Sequence, residues 1–187
     1  MKIHPPQPQY TTCADPEALF LRASEEETDI ENMLFENLTL TEGDFPGLTF
    51  RTCRFVGCRI SGCSLERAAF INCVFEHCDC SNLNLNKASL ERTSLSDCKL
   101  VGASLPEAFL LDVSLKDCIA RYANFSSSKM RHTRFADCDL SHAALGGCKL
   151  AKTAFERCLF VRAELFQTSF SGMDLSDCDI SSVAISG

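Results

Sequence analysis

Thirteen cysteines give this 187-residue chain its greatest capacity for chemistry. Thiolates can bind zinc, and pairs of thiols can form disulfides. Seven of them recur at steps of twenty residues: Cys58, Cys78, Cys98, Cys118, Cys138, Cys158 and Cys178. A tetrahedral zinc site needs thiolates that converge on one point, whereas parallel side chains in a column neither converge nor suit disulfide geometry. The spacing therefore predicts a structural core ladder of small buried residues, with no metal and no cofactor.

The other residues that could do chemistry are four histidines and scattered acids. The histidines are His4, His77, His132 and His142, and none has a second histidine or a cysteine at ligand spacing. Acids such as Asp137 and Asp139 would need a pocket to shift their pKa before they could act as a general acid or base. The chain also lacks a glycine-rich phosphate loop and a nucleophile elbow. We therefore predict no catalytic or cofactor-binding residues and a protein that is not an enzyme.

The element that must position all these residues is a repeat of five. From Ile30 to Ile185 every fifth residue is large and apolar, with Cys80 and Ala120 as the exceptions, and a smaller residue stands two positions before each. This period is neither the 3.6 of a helix nor the 2 of a strand. A chain that turns a corner every five residues would produce it, and four sides would close a coil of twenty. Residues 28–187 are then expected to form about eight coils, stacked at the ~4.8 Å spacing of strands.

The N-terminal 27 residues lack this period. Residues 1–14 are rich in proline and are predicted to form an extended arm or a mobile tail. Asp15 followed by Pro16 is typical of a helix start, so residues 15–26 are predicted to form a short helix that caps the first coil. The predicted organisation is an arm and capping helix over 1–27 and a repeat domain over 28–187.

Several five-residue units carry a further signature. The units in question are Ala88-Ser89-Leu90, Ala123-Asn124-Phe125, Cys138-Asp139-Leu140, Met173-Asp174-Leu175 and Cys178-Asp179-Ile180. They resemble the pentapeptide-repeat family, whose units read A(D/N)LXX, and the resemblance covers about 160 of the 187 residues. It implies an all-β fold, a right-handed quadrilateral β-helix with a Leu/Phe interior. It also implies that the Asn and Asp residues before the centres hydrogen-bond nearby backbone at the corners.

Charge and hydropathy limit the partners and the compartment. The formal charge is −7, which argues against non-specific binding to nucleic acid. Residues 1–30 hold six acidic and two basic residues, which leaves 19 acidic and 16 basic residues in a nearly balanced remainder. No apolar run reaches the length of a membrane span, and no signal peptide stands at the N-terminus. We therefore expect a cytoplasmic protein that binds neither membrane nor nucleic acid directly.

Outward positions of the repeat suggest where a partner could bind. The candidate partner surface lies on the side of the cysteine ladder and comprises Val101, Ile119, Arg121, Tyr122, Leu159 and Val161. Phe109 and Leu111 fall on another side, together with a basic run that extends from Lys129 to Lys152. Either cluster could be an interface or a chance grouping. The run from Ser126 to Ser128 is interpreted as polar surface.

Two functions from different classes remain open. The first is a general protein-interaction scaffold whose partner the sequence does not identify. The second follows from the resemblance, because Qnr-type pentapeptide-repeat proteins bind DNA gyrase or topoisomerase IV as DNA mimics and thereby confer quinolone resistance. The nearly neutral repeat body favours the scaffold. Since the repeat runs to Ile185 without a closing helix, a homodimer through the C-terminal coil is also expected.

Overall fold

The computed structural model describes residues 9–170, 175 and 177–185, which form a β-solenoid with one short helix near its N-terminal end. The helix is α1 (Pro16–Glu26). In chain order the strands are β1 (Thr11–Thr12), β2 (Ile30–Glu31), β3 (Met33–Glu36), β4 (Thr39–Leu40), β5 (Thr49–Arg51), β6 (Arg54–Val56), β7 (Arg59–Ile60), β8 (Ala69–Ile71), β9 (Val74–Glu76), β10 (Ser89–Glu91), β11 (Ser94–Ser96), β12 (Phe109–Leu111), β13 (Ser114–Lys116), β14 (Lys129–Arg131), β15 (Arg134–Ala136), β16 (Lys149–Ala151) and β17 (Ala154–Glu156).

Successive coils pair in parallel with a register of twenty residues. Phe35 lies opposite Phe55, and Phe55 lies opposite Phe75. The chain thus has four faces, which we name after one coil: the Phe55 face (53–57), the Cys58 face (58–62), the Leu65 face (63–67) and the Phe70 face (68–72). Each face includes the positions at steps of twenty from these residues. Eight strands pair on the Phe55 face and seven on the Phe70 face.

The Cys58 and Leu65 faces are held mainly by isolated parallel bridges, such as those that join Ile119 to Asp139 and Asp139 to Leu159. At the C-terminal end the last bridges join Leu159 to Asp179 and Glu164 to Ala184. Because regular strands end at Glu156, the described residues form about seven turns rather than the expected eight.

Most of the described corners are made by a left-handed residue two positions after the apolar centre. Asn72, His77 and Asn82 have φ values of 56°, 53° and 54°. Asparagine and aspartate tolerate this region better than most residues. Acids before the centres serve the same corners, since the Ser81 backbone N–H donates to Asp79 Oδ1 at 3.1 Å. The corner role expected for these residues is confirmed.

The interior is a continuous apolar column. Phe55 and Phe75 stack with ring centroids 4.4 Å apart, and Phe50 and Phe70 stack at 5.0 Å. Cys80 occupies a position that elsewhere holds a larger side chain, and it borders a cavity of about 20 Å³ lined only by apolar residues and Cys80. This volume corresponds to about one water molecule, and an apolar cavity of this kind stays dry.

The small inward position is a hydrogen-bonding site as well as a packing site. The Cys78 thiol donates to the Phe55 carbonyl oxygen, with 3.4 Å between sulfur and oxygen, and Thr93 Oγ1 donates to the Phe70 carbonyl oxygen at 3.0 Å. Ser128 Oγ donates in the same way to the Leu105 carbonyl oxygen at 2.7 Å. The prediction that Ser126–Ser128 is polar surface is therefore wrong for Ser128, which is fully buried.

The N-terminal residues cover the first coil. The Ala18 backbone N–H donates to the Asp15 side chain, so α1 begins where the sequence predicted. Phe20 packs edge-on against Phe35, Phe45 and Phe50 at centroid distances of 5.6, 5.5 and 5.3 Å. The arm adds β1 to the Phe55 face by pairing with β3. None of the described residues forms a helix of the length and apolarity that a bilayer crossing requires.

Thiol accessibility provides a direct test of the interior. Eleven cysteines are buried free thiols, whereas Cys13 and Cys178 are half-buried. Burial raises the pKa of the Cys148 thiol to about 11, which further reduces the reactive thiolate. We expect Ellman's reagent to label at most Cys13 and Cys178 rapidly in the native protein, and all thirteen in denaturant. Rapid native labelling of most cysteines would contradict the buried ladder.

Candidate partner-binding surface

The structure brings all six candidate residues together on the Cys58 face or its following corner. We call this set the Tyr122 patch: Val101, Ile119, Arg121, Tyr122, Leu159 and Val161. Ile119 and Leu159 stand in one outward column, with Asp139 paired between them. The valines lie in the next column, and Tyr122 is the left-handed corner residue with φ 59°.

Three large apolar side chains in this patch are open to solvent. The exposed fractions are 41% for Ile119, 42% for Leu159 and 60% for Tyr122, whereas Val101 and Val161 are half-buried. The Tyr122 ring stacks on His142 of the next coil with centroids 4.7 Å apart and planes inclined by 16°. The tyrosine is therefore held against the surface, and its other ring face remains available.

A charged pair lies inside the apolar patch. Arg121 Nε donates to Asp139 Oδ2 at 2.5 Å, and the Ser141 backbone N–H donates to the other carboxylate oxygen at 3.0 Å. Partial burial pushes the pKa of Asp139 upward, but the Ser141 hydrogen bonds and the Arg121 guanidinium outweigh it, and the pKa lies below its ordinary value. Asp139 therefore stays ionised, and its charge is compensated by Arg121. This pairing lowers the free-energy cost of covering the patch with a partner.

The lowered pKa of Asp139 predicts a loss of stability in acid. Since an unfolded aspartate titrates at about 3.9, the stabilisation is present above that pH and disappears as the pH falls through the lower folded pKa. The free energy of unfolding of Asp139→Asn, measured in urea, should therefore be lower than that of wild type at neutral pH. The two values should converge near pH 2.

The control for this titration is Glu107→Gln, which alters an exposed acid that makes no ion pair among the described residues. At neutral pH this variant should unfold at the same urea concentration as wild type. A difference between Asp139→Asn and wild type that stays constant from pH 7 to pH 2 would mean that the carboxylate charge has no role in the pair.

The remaining candidate chemistry lies on other faces. His77 Nδ1 is 3.9 Å from Asp97 and His132 Nδ1 is 3.1 Å from Asp112, both at exposed corners. His4 lies outside the described residues. Arg157 binds both carboxylate oxygens of Asp137 at 2.6 Å. Within the described ranges no group of three or more His, Cys, Asp or Glu side chains is arranged to hold a metal ion.

The sequence interpretation missed two features of the patch, the Arg121–Asp139 pair and the Tyr122–His142 stack. The signal for both was present in the twenty-residue register. This register places Asp139 directly between Ile119 and Leu159, and His142 directly above Tyr122. Only the orientation of the side chains required the structure.

Comparison with known proteins was made on sequence and on structure. A family model described as pentapeptide repeat region matches residues 68–145, and one described as pentapeptide repeats (8 copies) matches residues 143–181. No curated protein sequence matches the chain significantly.

Several solved structures are similar to the chain. Full-length QnrB1, a plasmid-mediated fluoroquinolone resistance protein, is 16% identical over 82% of this chain and 93% of its own, with a TM-score of 0.42. HetL of the cyanobacterium Nostoc sp. strain PCC 7120 is 17% identical over 88% and 94%, with a TM-score of 0.38. A pentapeptide-repeat protein from the Arabidopsis thaliana thylakoid lumen is 19% identical over 50% and 66%, with a TM-score of 0.48. These likenesses carry no inference about function.

The two family models overlap at residues 143–145. Together they extend from residue 68 to residue 181, and from residue 68 to residue 170 the described chain has left-handed corners and an inward cysteine ladder at every twenty-residue step. Sequence period and coil geometry therefore give the same answer, and the chain belongs to the pentapeptide-repeat family.

Proposed function

We propose that the protein is a non-catalytic protein-interaction scaffold that binds a protein partner through the Tyr122 patch. The observation that carries this proposal is the exposure of Ile119, Tyr122 and Leu159 on one side of the solenoid. The other exposed large apolar residues of the described chain lie on the helix, at Phe166, or in the last coil. Contiguous exposed apolar side chains mark interaction sites more often than scattered ones do.

The composition and rigidity of the patch suit a binding site. Tyrosine and arginine are enriched among residues that dominate binding energy, because they combine apolar area with directed hydrogen bonds. Tyr122 and Arg121 are held in place by His142 and Asp139, so a partner would pay little conformational entropy to order them.

The test is affinity capture with matched variants. The patch variant combines Tyr122→Ala with Leu159→Ser, and the control combines Leu21→Ser with Phe166→Ser, which removes exposed apolar residues outside the patch. Captured proteins are quantified by mass spectrometry after mild cross-linking. We expect at least one protein that wild type and control capture equally and that the patch variant loses by about tenfold or more. Identical captured sets from all three proteins would overturn the proposal.

A second candidate function is the protection of a type II topoisomerase by DNA mimicry. It is favoured by the Phe55 face, where the described outward positions carry seven acidic and four basic side chains. Asp97, Asp117 and Asp137 occupy the same corner of three successive coils. Arg157 pairs with Asp137 and Lys116 lies 3.6 Å from Asp117, but the face keeps an excess of acidic side chains. An excess of negative charge is one feature that a DNA-binding groove would attract.

This second candidate is tested by DNA gyrase supercoiling with and without a fluoroquinolone. If it is right, the protein rescues supercoiling from the drug or inhibits it directly, and Asp97→Asn with Asp117→Asn weakens the effect. The control, Glu107→Gln with Glu164→Gln, removes two charges from the Leu65 face and should leave the effect unchanged. No response to the wild-type protein would exclude gyrase and leave the scaffold.

We further propose the homodimer through the C-terminal coil and residence in the cytoplasm. Ile180 and Ile185 stand at interior positions of the repeat yet are 54% and 73% exposed, so a second copy could cover them. A reducing compartment would keep the eleven buried thiols reduced. Light scattering of wild type and Ile180→Glu tests the dimer. A monomeric wild type, or a variant that remains dimeric, would contradict this interface.

A further inference from the structure

The Phe70 face carries a second cluster of side chains that the proposed function does not use. We call it the basic patch: Phe109, Leu111, Lys129, Arg131, Lys149 and Lys152. Phe109 lies opposite Lys129, and Lys129 lies opposite Lys149. Leu111 lies opposite Arg131 in the neighbouring column. Because the four faces follow one another around the coil, the Phe70 face is on the side opposite to the Cys58 face and its Tyr122 patch.

The cations of the basic patch are unlike most others in the protein. Eight arginines elsewhere lie within 4 Å of a carboxylate, as Arg134 does with Glu156 and Arg157 with Asp137. Among the described residues, Lys129, Arg131, Lys149 and Lys152 have no such partner, although all four are exposed. Asp112, an acid on the same face, lies 3.1 Å from His132 Nδ1.

The stacking of these cations has a cost for the free protein. Like charges directly opposite each other on adjacent strands are destabilising. Lys129 and Lys149 are such a pair, one strand spacing apart on β14 and β16. An anionic partner would neutralise both, and Phe109 and Leu111, which are half-buried at the edge of the cluster, would offer an apolar contact to it.

We propose that the basic patch binds a short acidic segment of a partner protein that carries an apolar side chain among its carboxylates. The three strands β12, β14 and β16 cover only about 10 Å at the spacing of strands. The adjoining Phe55 face has an excess of acids, so a long polyanion such as DNA would leave the patch and meet negative charge. A short acidic peptide fits within it, and Phe109 and Leu111 favour a peptide over a purely charged ligand.

The test is fluorescence anisotropy with three labelled probes of similar length. The first is a peptide in which glutamates flank a central Phe-Leu pair, the second is a polyglutamate peptide, and the third is single-stranded DNA. The variant Lys129→Glu with Lys149→Glu is compared with Lys87→Glu and Lys99→Glu, which changes the net charge equally on the Leu65 and Cys58 faces. The milder Lys129→Gln with Lys149→Gln removes the two charges without reversing them.

We expect wild type and the Lys87/Lys99 control to bind the Phe-Leu peptide with the same affinity. Both Lys129/Lys149 variants should bind it with an affinity lower by about tenfold or more. Phe109→Ala should weaken this peptide and leave polyglutamate unaffected. Thermal unfolding adds an independent readout. The Lys149→Glu single variant should melt no lower than wild type, since it replaces a repulsive pair with an attractive one, while it loses peptide binding.

Three outcomes would overturn the proposal. Tighter binding of DNA than of either peptide would identify a general polyanion site. Equal loss in the Lys87/Lys99 control would mean that only net charge matters. Absence of saturable peptide binding to wild type would show that the basic patch does not bind this class of ligand.

Discussion

Replacing Phe75 with alanine should lower the free energy of unfolding by about 3–5 kcal/mol, the range for a buried phenylalanine. Phe75 is 5% exposed, its ring lies parallel to that of Phe55, and it packs edge-to-face with Phe70 at a centroid distance of 5.4 Å. The loss is large because parallel coils above and below hold the cavity open, so neighbouring side chains cannot collapse into it. Urea denaturation followed by circular dichroism measures the change.

The matched control for Phe75→Ala is Phe109→Ala. Both are phenylalanines in or beside a parallel strand, but Phe109 occupies an outward, half-buried position. Its removal should cost about 1 kcal/mol or less. If both variants lost the same free energy, the assignment of inward and outward positions would be wrong.

Replacing Phe20 with alanine should destabilise the protein by a similar ~3–5 kcal/mol and also promote self-association. Phe20 is 1% exposed and contacts three phenylalanines of the first coils, so its ring closes the N-terminal end of the apolar column. Without it, apolar surface at the first coil becomes accessible to another molecule. Urea unfolding measures the stability, and sedimentation velocity measures the association.

The neighbouring residue supplies the control for Phe20→Ala. Leu21 lies on the same helix but is 48% exposed, so Leu21→Ala keeps the helix and leaves the column closed. Its oligomeric state should be that of wild type, and its free energy of unfolding should lie within about 1 kcal/mol of the wild-type value. A Phe20→Ala protein that remained as stable and as soluble as Leu21→Ala would remove the capping role of the helix.

The architecture could be predicted because one short period controls it. A large residue at every fifth position leaves a single way to bury them all, and the twenty-residue recurrence of Cys58 to Cys178 fixes which sides stack on which. The start of the helix at Asp15 and Pro16 could also be predicted, because its N-cap is a local interaction between neighbouring residues. The four-sided coil and the start of the helix could therefore be predicted from the sequence.

Side chains with two competing roles were harder to assign. The polarity of serine predicts a surface position for Ser128, whereas the residue is buried and its hydroxyl donates to the Leu105 carbonyl oxygen, which also accepts from the Ala108 backbone N–H. The sequence pattern predicts only a packing role for cysteine at this position, although the Cys78 thiol also donates to the equivalent carbonyl oxygen of the preceding coil, that of Phe55. The character of the Tyr122 patch depends on which rotamer Arg121 adopts, and no pattern of residue types determines that.

The twenty-residue register has a consequence for how such a protein can change length. Insertion or removal of twenty residues would shift everything beyond it by one strand spacing, about 4.8 Å, without turning it. A change of five would instead turn the later part by one face, so that the surfaces carrying the Tyr122 patch and the basic patch would no longer continue those of the earlier coils. Distance along the rod and direction around it can thus be altered separately, by gains or losses of different size in the same gene.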